Sequence, residues 1–184
     1  MPDLAGEKPV YYGFTGGIDS AGATRIATAF NAAVNEGADV IHLAMSSPGG
    51  SVSDGVYLYN HIRALPVKVV AYNLGLVASI ATVIFVAAGE RYCSTHSAFM
   101  IHPTSFPDLP GMTAERLQTF YTAALADDER TEAILRERTG LTDNFLNARR
   151  YTDVHISPDV AVEHKIVHGI KELTIPRGFR MFQI

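Results

Sequence analysis

An α/β fold on a largely parallel sheet is the prediction, and three observations carry it. Through the first half of the chain, β-branched apolar runs alternate with stretches at helical spacing, in the order strand, helix, strand, helix, strand, helix. The run Val67 to Asn73 is apolar at nearly every position, as a parallel strand covered on both faces must be. Glycine and proline punctuate the segments at Gly16-Gly17, Gly37, Pro66, Gly75 and Gly89. At 184 residues and 47% apolar content the chain can bury one sizeable core, so residues 1–184 are expected to form a single domain.

The elements follow in order. Residues 1–9 are polar with two prolines and are expected to be a disordered lead. Val10 to Phe14 reads as a first strand. Asp19 or Ser20 can cap a helix over Ala21 to Asn35, whose Ile26, Ala29, Phe30, Ala33 and Val34 share one face. Val40 to Met45 is a second strand, Ser46 to Ser51 a loop, and Ser53 to Leu65 a second helix ended by Pro66. Val67 to Asn73 is the central strand, Gly75 its turn, and Val77 to Ala88 a buried helix with Gly89 as a left-handed cap. Short strands at Arg91 to Ser94 and Ala98 to His102 precede a proline-rich loop over Thr104 to Gly111. Thr113 caps a long helix to Arg138, with an incomplete apolar stripe that includes Leu117, Tyr121 and Leu125. Thr142 to Arg150 is a short helix, Asp153 to Ile156 is extended, and Ser157-Pro158 opens another helix to Glu163. The tail from Ile170 to Ile184 can add a closing strand.

Composition excludes several classes. The net charge is −4 with a pI near 5.9, and no stretch clusters Lys or Arg, so the footprint of a nucleic-acid binder is missing. No basic stretch followed by an apolar core marks a signal peptide, and the longest apolar run is broken by Asn73, Gly75 and Ser79, so no membrane span is expected. Cys93 stands alone, which fits a reducing, cytoplasmic setting.

In a parallel sheet the turns after the strands gather at one edge, where ligands bind. That places the Ser46 to Ser51 loop, the turn before Ser79 and the strand end at His102 together. Each residue has an ordinary reading: Ser79 as a hydroxyl bonded to its own helix, His102 as a half-exposed polar residue, Gly49-Gly50 as a tight turn, Asp153 as a solvated carboxylate. Their convergence supports a different one. A hydroxyl at a helix N-terminus faces unpaired N–H groups that stabilise an anion forming beside it, and a histidine can take its proton.

The stretches SSPGGSVSDGVYLYNHIR, GLVASIATVIFVAAGERYC and FMIHPT resemble, in order and spacing, those around the oxyanion glycine, the nucleophile and the histidine of the ClpP-type serine peptidases. The likeness runs from about Gly13 to about Ile170. It implies a spiral of strand–strand–helix units, as in the crotonases, with the helix over 113–139 as a protruding handle. It implies Ser79 as nucleophile, His102 as general base, Asp153 as third member, and Gly50 with the Ile80 N–H as oxyanion hole. It further implies a homo-oligomer of stacked rings enclosing the sites, with peptides and unfolded chains as substrates. No cofactor and no metal is required by that chemistry.

The chain departs from the family pattern where Ile80-Ala81 follow the nucleophile in place of Met and Gly, where Val77 replaces a Gln, and where Lys165 to His168 replace Gly-Leu-Val-Asp. Only about a dozen residues precede the first turn, where the family has a segment that lines the pore and meets a Clp-type ATPase; the expectation is therefore ATP-independent cleavage. Two rival readings are a crotonase-type acyl-CoA hydratase or isomerase, which would want a carboxylate at Ser79 or His102, and a catalytically silent ring subunit. A Ser–Lys dyad is disfavoured because Lys68 begins the central strand, far from Ser79.

Overall fold

The computed structural model describes residues 8–106 and 111–184. The expected lead thus lies mostly outside the described residues, as does much of the proline-rich loop, and Pro9 already belongs to a strand. The elements are β1 (Pro9–Thr15), α1 (Ser20–Asn35), β2 (Val40–Ser47), α2 (Val52–Ala64), β3 (Lys68–Ala78), α3 (Ile80–Val86), β4 (Glu90–Cys93), β5 (Ala98–Ile101), α4 (Ala114–Arg138), α5 (Asp143–Ala148), β6 (Val154–Ile156), α6 (Pro158–Glu163), β7 (Gly169–Ile170) and β8 (Met181–Gln183).

The sheet runs β6-β5-β3-β2-β1-β8, with β4 pairing β3 and β7. Every pairing is parallel except β5 with β6. Period-two alternation sorts the strand residues between two faces. Ile41, Leu43 and Met45 with Val69 and Ala71 join the main core with α1, α2 and α3; Val40, Val70 and Tyr72 form a smaller cluster behind them with Tyr92 and Leu173.

Caps behave as side-chain chemistry dictates. Asp19 accepts from the Gly22 N–H at 2.7 Å, while Ser51, Thr113 and Ser157 accept from the N–H three residues on. Thr142 also precedes a helix, α5, but its side chain makes no such bond.

The central strand differs most from expectation. Gly75 is not a turn: β3 continues through it to Ala78, pairing β4 up to Asn73 and β5 from Leu76. The Asn73 carboxamide accepts the Gly75 N–H at 3.0 Å and donates to the Ala98 carbonyl at 2.8 Å, which carries the strand from one neighbour to the next. Ser46 and Ser47 likewise extend β2 to flank the lengthened β3, with a register shift between Met45 and Ser47. Val77 and Ala78 are therefore strand, and the helix begins only at Ile80. Gly89 is not left-handed; its N–H donates to the Val69 carbonyl.

Helix α4 is buried only toward its C-terminal end, at Thr131, Glu132 and Leu135. Leu117, Tyr121 and Leu125 form an exposed row one turn apart, 53%, 65% and 45% accessible. No described helix is long and apolar enough to cross a membrane.

Candidate active site

The chain reverses direction at Ser79. Its φ is 56° and ψ −132°, a left-handed conformation that costs a residue with a Cβ roughly 1–3 kcal/mol. Two contacts hold it there. The Ser79 N–H donates to the Met100 carbonyl at 2.8 Å, tying the turn to β5, and Ile80 opens a helix whose every residue is buried. The Ser79 hydroxyl makes no capping bond.

The Pro48-Gly49-Gly50 loop presses on this turn. A Cβ at Gly49 would lie 2.6 Å from the Ser79 Cβ and 3.1 Å from its Oγ, and φ is +95° there. At Gly50, with φ of +152°, a Cβ would collide with the Ile18 carbonyl. Only glycine satisfies either position. The Ile18 N–H donates to Gly49 O at 2.8 Å and the Ser51 N–H to Ile18 O at 2.7 Å, so in this parallel bridge the Gly50 N–H points away from Ile18. A further close approach fixes α3: a Cβ on Gly55 of α2 would strike the Ile80 side chain.

Half-buried Ser79 and His102 line one cleft, walled by Val52, Ile80, Val83 and Leu135. Asp153 is exposed and is not among the lining residues. Antiparallel pairing nevertheless sets it near, since Ile101 faces Val154 in the last β5–β6 pair, and the next positions outward are His102 and Asp153. Among the described residues no hydrogen bond joins Ser79 to His102 or His102 to Asp153. The structure therefore brings the serine, the histidine and the glycine loop together and leaves the carboxylate at the rim.

Sequence reasoning missed the polar end of the cleft. Arg149, just beyond α5, is 4% exposed and lines the cavity with Thr104 and Thr131. Its Nη2 donates to Asp128 Oδ1 at 3.2 Å and Thr131 Oγ1 at 3.0 Å. Asp128 Oδ1 also accepts the Thr104 N–H and hydroxyl, both at 2.8 Å. One carboxylate on α4 thus anchors both the segment after His102 and the residue four before Asp153. Burial holds the Arg149 guanidinium below its usual range, opposed by the Asp128 and Glu132 carboxylates. The available signal was spacing: Arg149 follows buried Leu146 by three residues, on the inward face of α5. Among the described residues no cluster of His, Cys, Asp and Glu could hold a metal ion.

The chain is similar to known proteins. The family model described as Clp protease matches residues 12–173. An ATP-dependent Clp protease proteolytic subunit 2 from Pseudomonas aeruginosa is 28% identical over 168 residues, covering 88% of this chain and 83% of that protein. A proteolytic subunit 1 from Leifsonia xyli is 28% identical over 134 residues, 72% of this chain and 67% of its own. Among solved structures, a mutant ClpP1 from Listeria monocytogenes superposes with a TM-score of 0.78 at 22% identity, over 90% of this chain and 91% of that one. That likeness shows the fold, a ClpP and hence crotonase-like one. With the family model matched along most of its length, the chain belongs to the Clp protease family and is a serine-type peptidase.

Proposed function

We propose that the protein is an endopeptidase that cleaves peptides and unfolded polypeptides through Ser79, His102 and Asp153. The observation that carries this is the strained Ser79 turn, packed against a bare glycine loop and open to the same cleft as His102. Ser79 Oγ attacks the scissile carbonyl while His102 takes its proton; Asp153, on the other imidazole nitrogen, fixes the tautomer and offsets the imidazolium charge. The Gly50 and Ile80 N–H groups bind the oxyanion, with the N-terminus of α3 adding its dipole. His102 then protonates the leaving amine, and water repeats the sequence on the acyl-enzyme. Asp153 closes the remaining distance to His102 when substrate or assembly orders the rim.

The chamber is part of the same proposal. The exposed Leu117, Tyr121 and Leu125 row on α4 is an interface in waiting, which supports homo-oligomeric rings meeting through this helix as a handle. Peptides and unfolded chains need no unfolding to enter, so their cleavage proceeds without ATP. The relatives are by name ATP-dependent subunits, and a Clp-type ATPase is the partner to test for folded substrates.

The test is labelling with a fluorophosphonate, read together with casein and fluorogenic-peptide cleavage, for the native protein and Ser79→Ala. Labelling and cleavage confined to the native protein support the assignment; cleavage by the Ser79→Ala protein overturns it. Light scattering at micromolar concentration checks the ring, and a monomeric mass contradicts it.

A further inference from the structure

Two backbone segments meet at the end of the β5–β6 pair, and one carboxylate behind the cleft holds both. The last pair of that ladder is Ile101 with Val154, so His102 and Asp153 stand just outside it. Beyond His102, Pro103 has no N–H to donate. The next residue, Thr104, gives both its N–H and its hydroxyl to Asp128 Oδ1, each at 2.8 Å. His102 is therefore held between a strand ladder and a clamp two residues away. On the other segment the same Asp128 oxygen accepts from Arg149 Nη2 at 3.2 Å, four residues before Asp153. Among the described residues no other side chain bonds to both segments.

Resting on the peptidase reading, we propose that Asp128 is a positioning residue for the reaction: through Thr104 it fixes where His102 stands against Ser79, and through Arg149 it sets the reach of Asp153. Asp128 lies on α4 and is not among the residues that line the cleft. It acts on the chemistry only through the two segments it ties.

The two arms differ in slack. Hydrogen bonds to an ionised acceptor are short and strong, and on the His102 side two of them end on Thr104, with a single proline between clamp and imidazole. On the other side Arg150, Tyr151 and Thr152 separate Arg149 from Asp153. That difference matches the placement of His102 in the cleft with Ser79 and of Asp153 at its rim. Proton transfer demands hydrogen-bond reach between serine and base, and a misplacement of about 1 Å costs about a hundredfold in rate. Removing Asp128 alone would also strand the buried Arg149 cation, so the informative variants keep the charges balanced.

The experiment uses the full-length protein, a fluorogenic peptide and a fluorophosphonate, with light scattering and thermal melting to check mass and fold. Thr104→Val keeps the size, the N–H and both charges but loses the hydroxyl bond. The expected result is a kcat lower by about tenfold, a KM within about twofold of the native value and labelling slowed by the same factor as kcat. Thr104→Ser, which keeps the hydroxyl, turns over at the native rate. The pair D128L/R149M, neutral as a unit, cuts both arms and lowers kcat about a hundredfold; should it not fold or assemble, the Thr104 variants decide alone. Native turnover in Thr104→Val, equal loss in Thr104→Val and Thr104→Ser, or a change confined to KM overturns the proposal. The native protein separates the two levels of failure. If it is labelled and active while Thr104→Val matches it, the positioning role alone is refuted; if it is neither labelled nor active, the peptidase reading falls and the proposal with it.

Discussion

Arg91 and Arg149 are buried to nearly the same degree, 5% and 4% exposed, and their surroundings could hardly differ more. Arg91 sits where three helices end. Its Nε donates to Ile166 O at 2.8 Å, its Nη1 to Ala88 O at 3.0 Å, and its Nη2 to Arg138 O at 3.2 Å and Lys165 O at 3.1 Å. These carbonyls lie at or just beyond the ends of α3, α4 and α6, where intrahelical partners run out. No carboxylate among the described residues bonds to it, and burial with the nearby Arg138 lowers it to about 10. Arg149 instead shares the Asp128 carboxylate with Thr104, and its buried Nε–H has no acceptor among the described residues. Burial of a charge is thus no guide to function by itself. What distinguishes the two is the partner: Arg91 is spent on backbone carbonyls, Arg149 on a carboxylate that also anchors Thr104 in the segment after His102.

Substitutions at the two ends should separate accordingly, activity lost at one and folding at the other. The largest effect belongs to Ser79→Ala, for which peptide turnover should fall by roughly 10³ to 10⁶ with an unchanged melting transition. Turnover within tenfold of the native protein would remove Ser79 from the chemistry. Arg91→Met should do the reverse. Uncapping several buried carbonyls costs roughly 3–5 kcal/mol, measured by urea unfolding, while the folded fraction keeps its labelling rate; a loss below about 1 kcal/mol would mean the cage is filled by water.

Gly49→Ala sharpens the comparison from the cleft side. The new Cβ must push the Ser79 Cβ from 2.6 Å, so turnover should drop about a hundredfold. Stability should fall by only about 1–2 kcal/mol, from the positive φ. Equal loss in Gly49→Ala and a distant surface variant would show that the loop does not position the nucleophile.

The smallest effect lies behind the sheet. His42 stacks on Tyr11 with ring centres 4.5 Å apart and bonds the Tyr72 hydroxyl. Burial first, then Lys68 and Lys171, lowers its pKa to about 4. The unfolded chain therefore binds this proton at higher pH than the folded one. The stabilising preference for neutral His42 is present above about 6.5 and is lost as pH falls towards 4. His42→Gln should show a shallower loss of stability between those values. Identical acid limbs would mean that other groups dominate.

Much of this molecule was legible from residues alone. Asp19 or Ser20, Thr113 and Ser157 announce helix starts because a short polar side chain can bond the N–H groups just beyond it, a local event; the Ser51 cap, read in the sequence as loop, emerged only in the structure. The parallel sheet was legible because burial on both faces leaves no polar alternation in β3. Ser79 and His102 were legible as strand-end residues that a parallel sheet must gather. The turn at Gly75 was not. Glycine's freedom permits a turn without requiring one, and here the residue is needed small, since a Cβ would meet Ser46 Oγ at 2.9 Å. Nor was the reversal at Ser79 legible, because a left-handed serine is locally unfavourable and only the buried α3 and the Met100 carbonyl enforce it.

The sequence by itself determined most of the elements, the caps before α1, α4 and α6, the parallel sheet and the edge at which chemistry gathers, because each depends on periodicity or on bonds spanning a few residues. The tertiary structure alone decided that β6 runs antiparallel and brings Asp153 to the rim near His102, that Gly49 abuts Ser79, and that Asp128 joins the segments on either side of α4. It also decided that Arg149, from beyond α5, lines the same cleft as Ser79. Those outcomes come from packing distant segments at fixed distances, where one missing Cβ or one shared carboxylate oxygen settles the geometry.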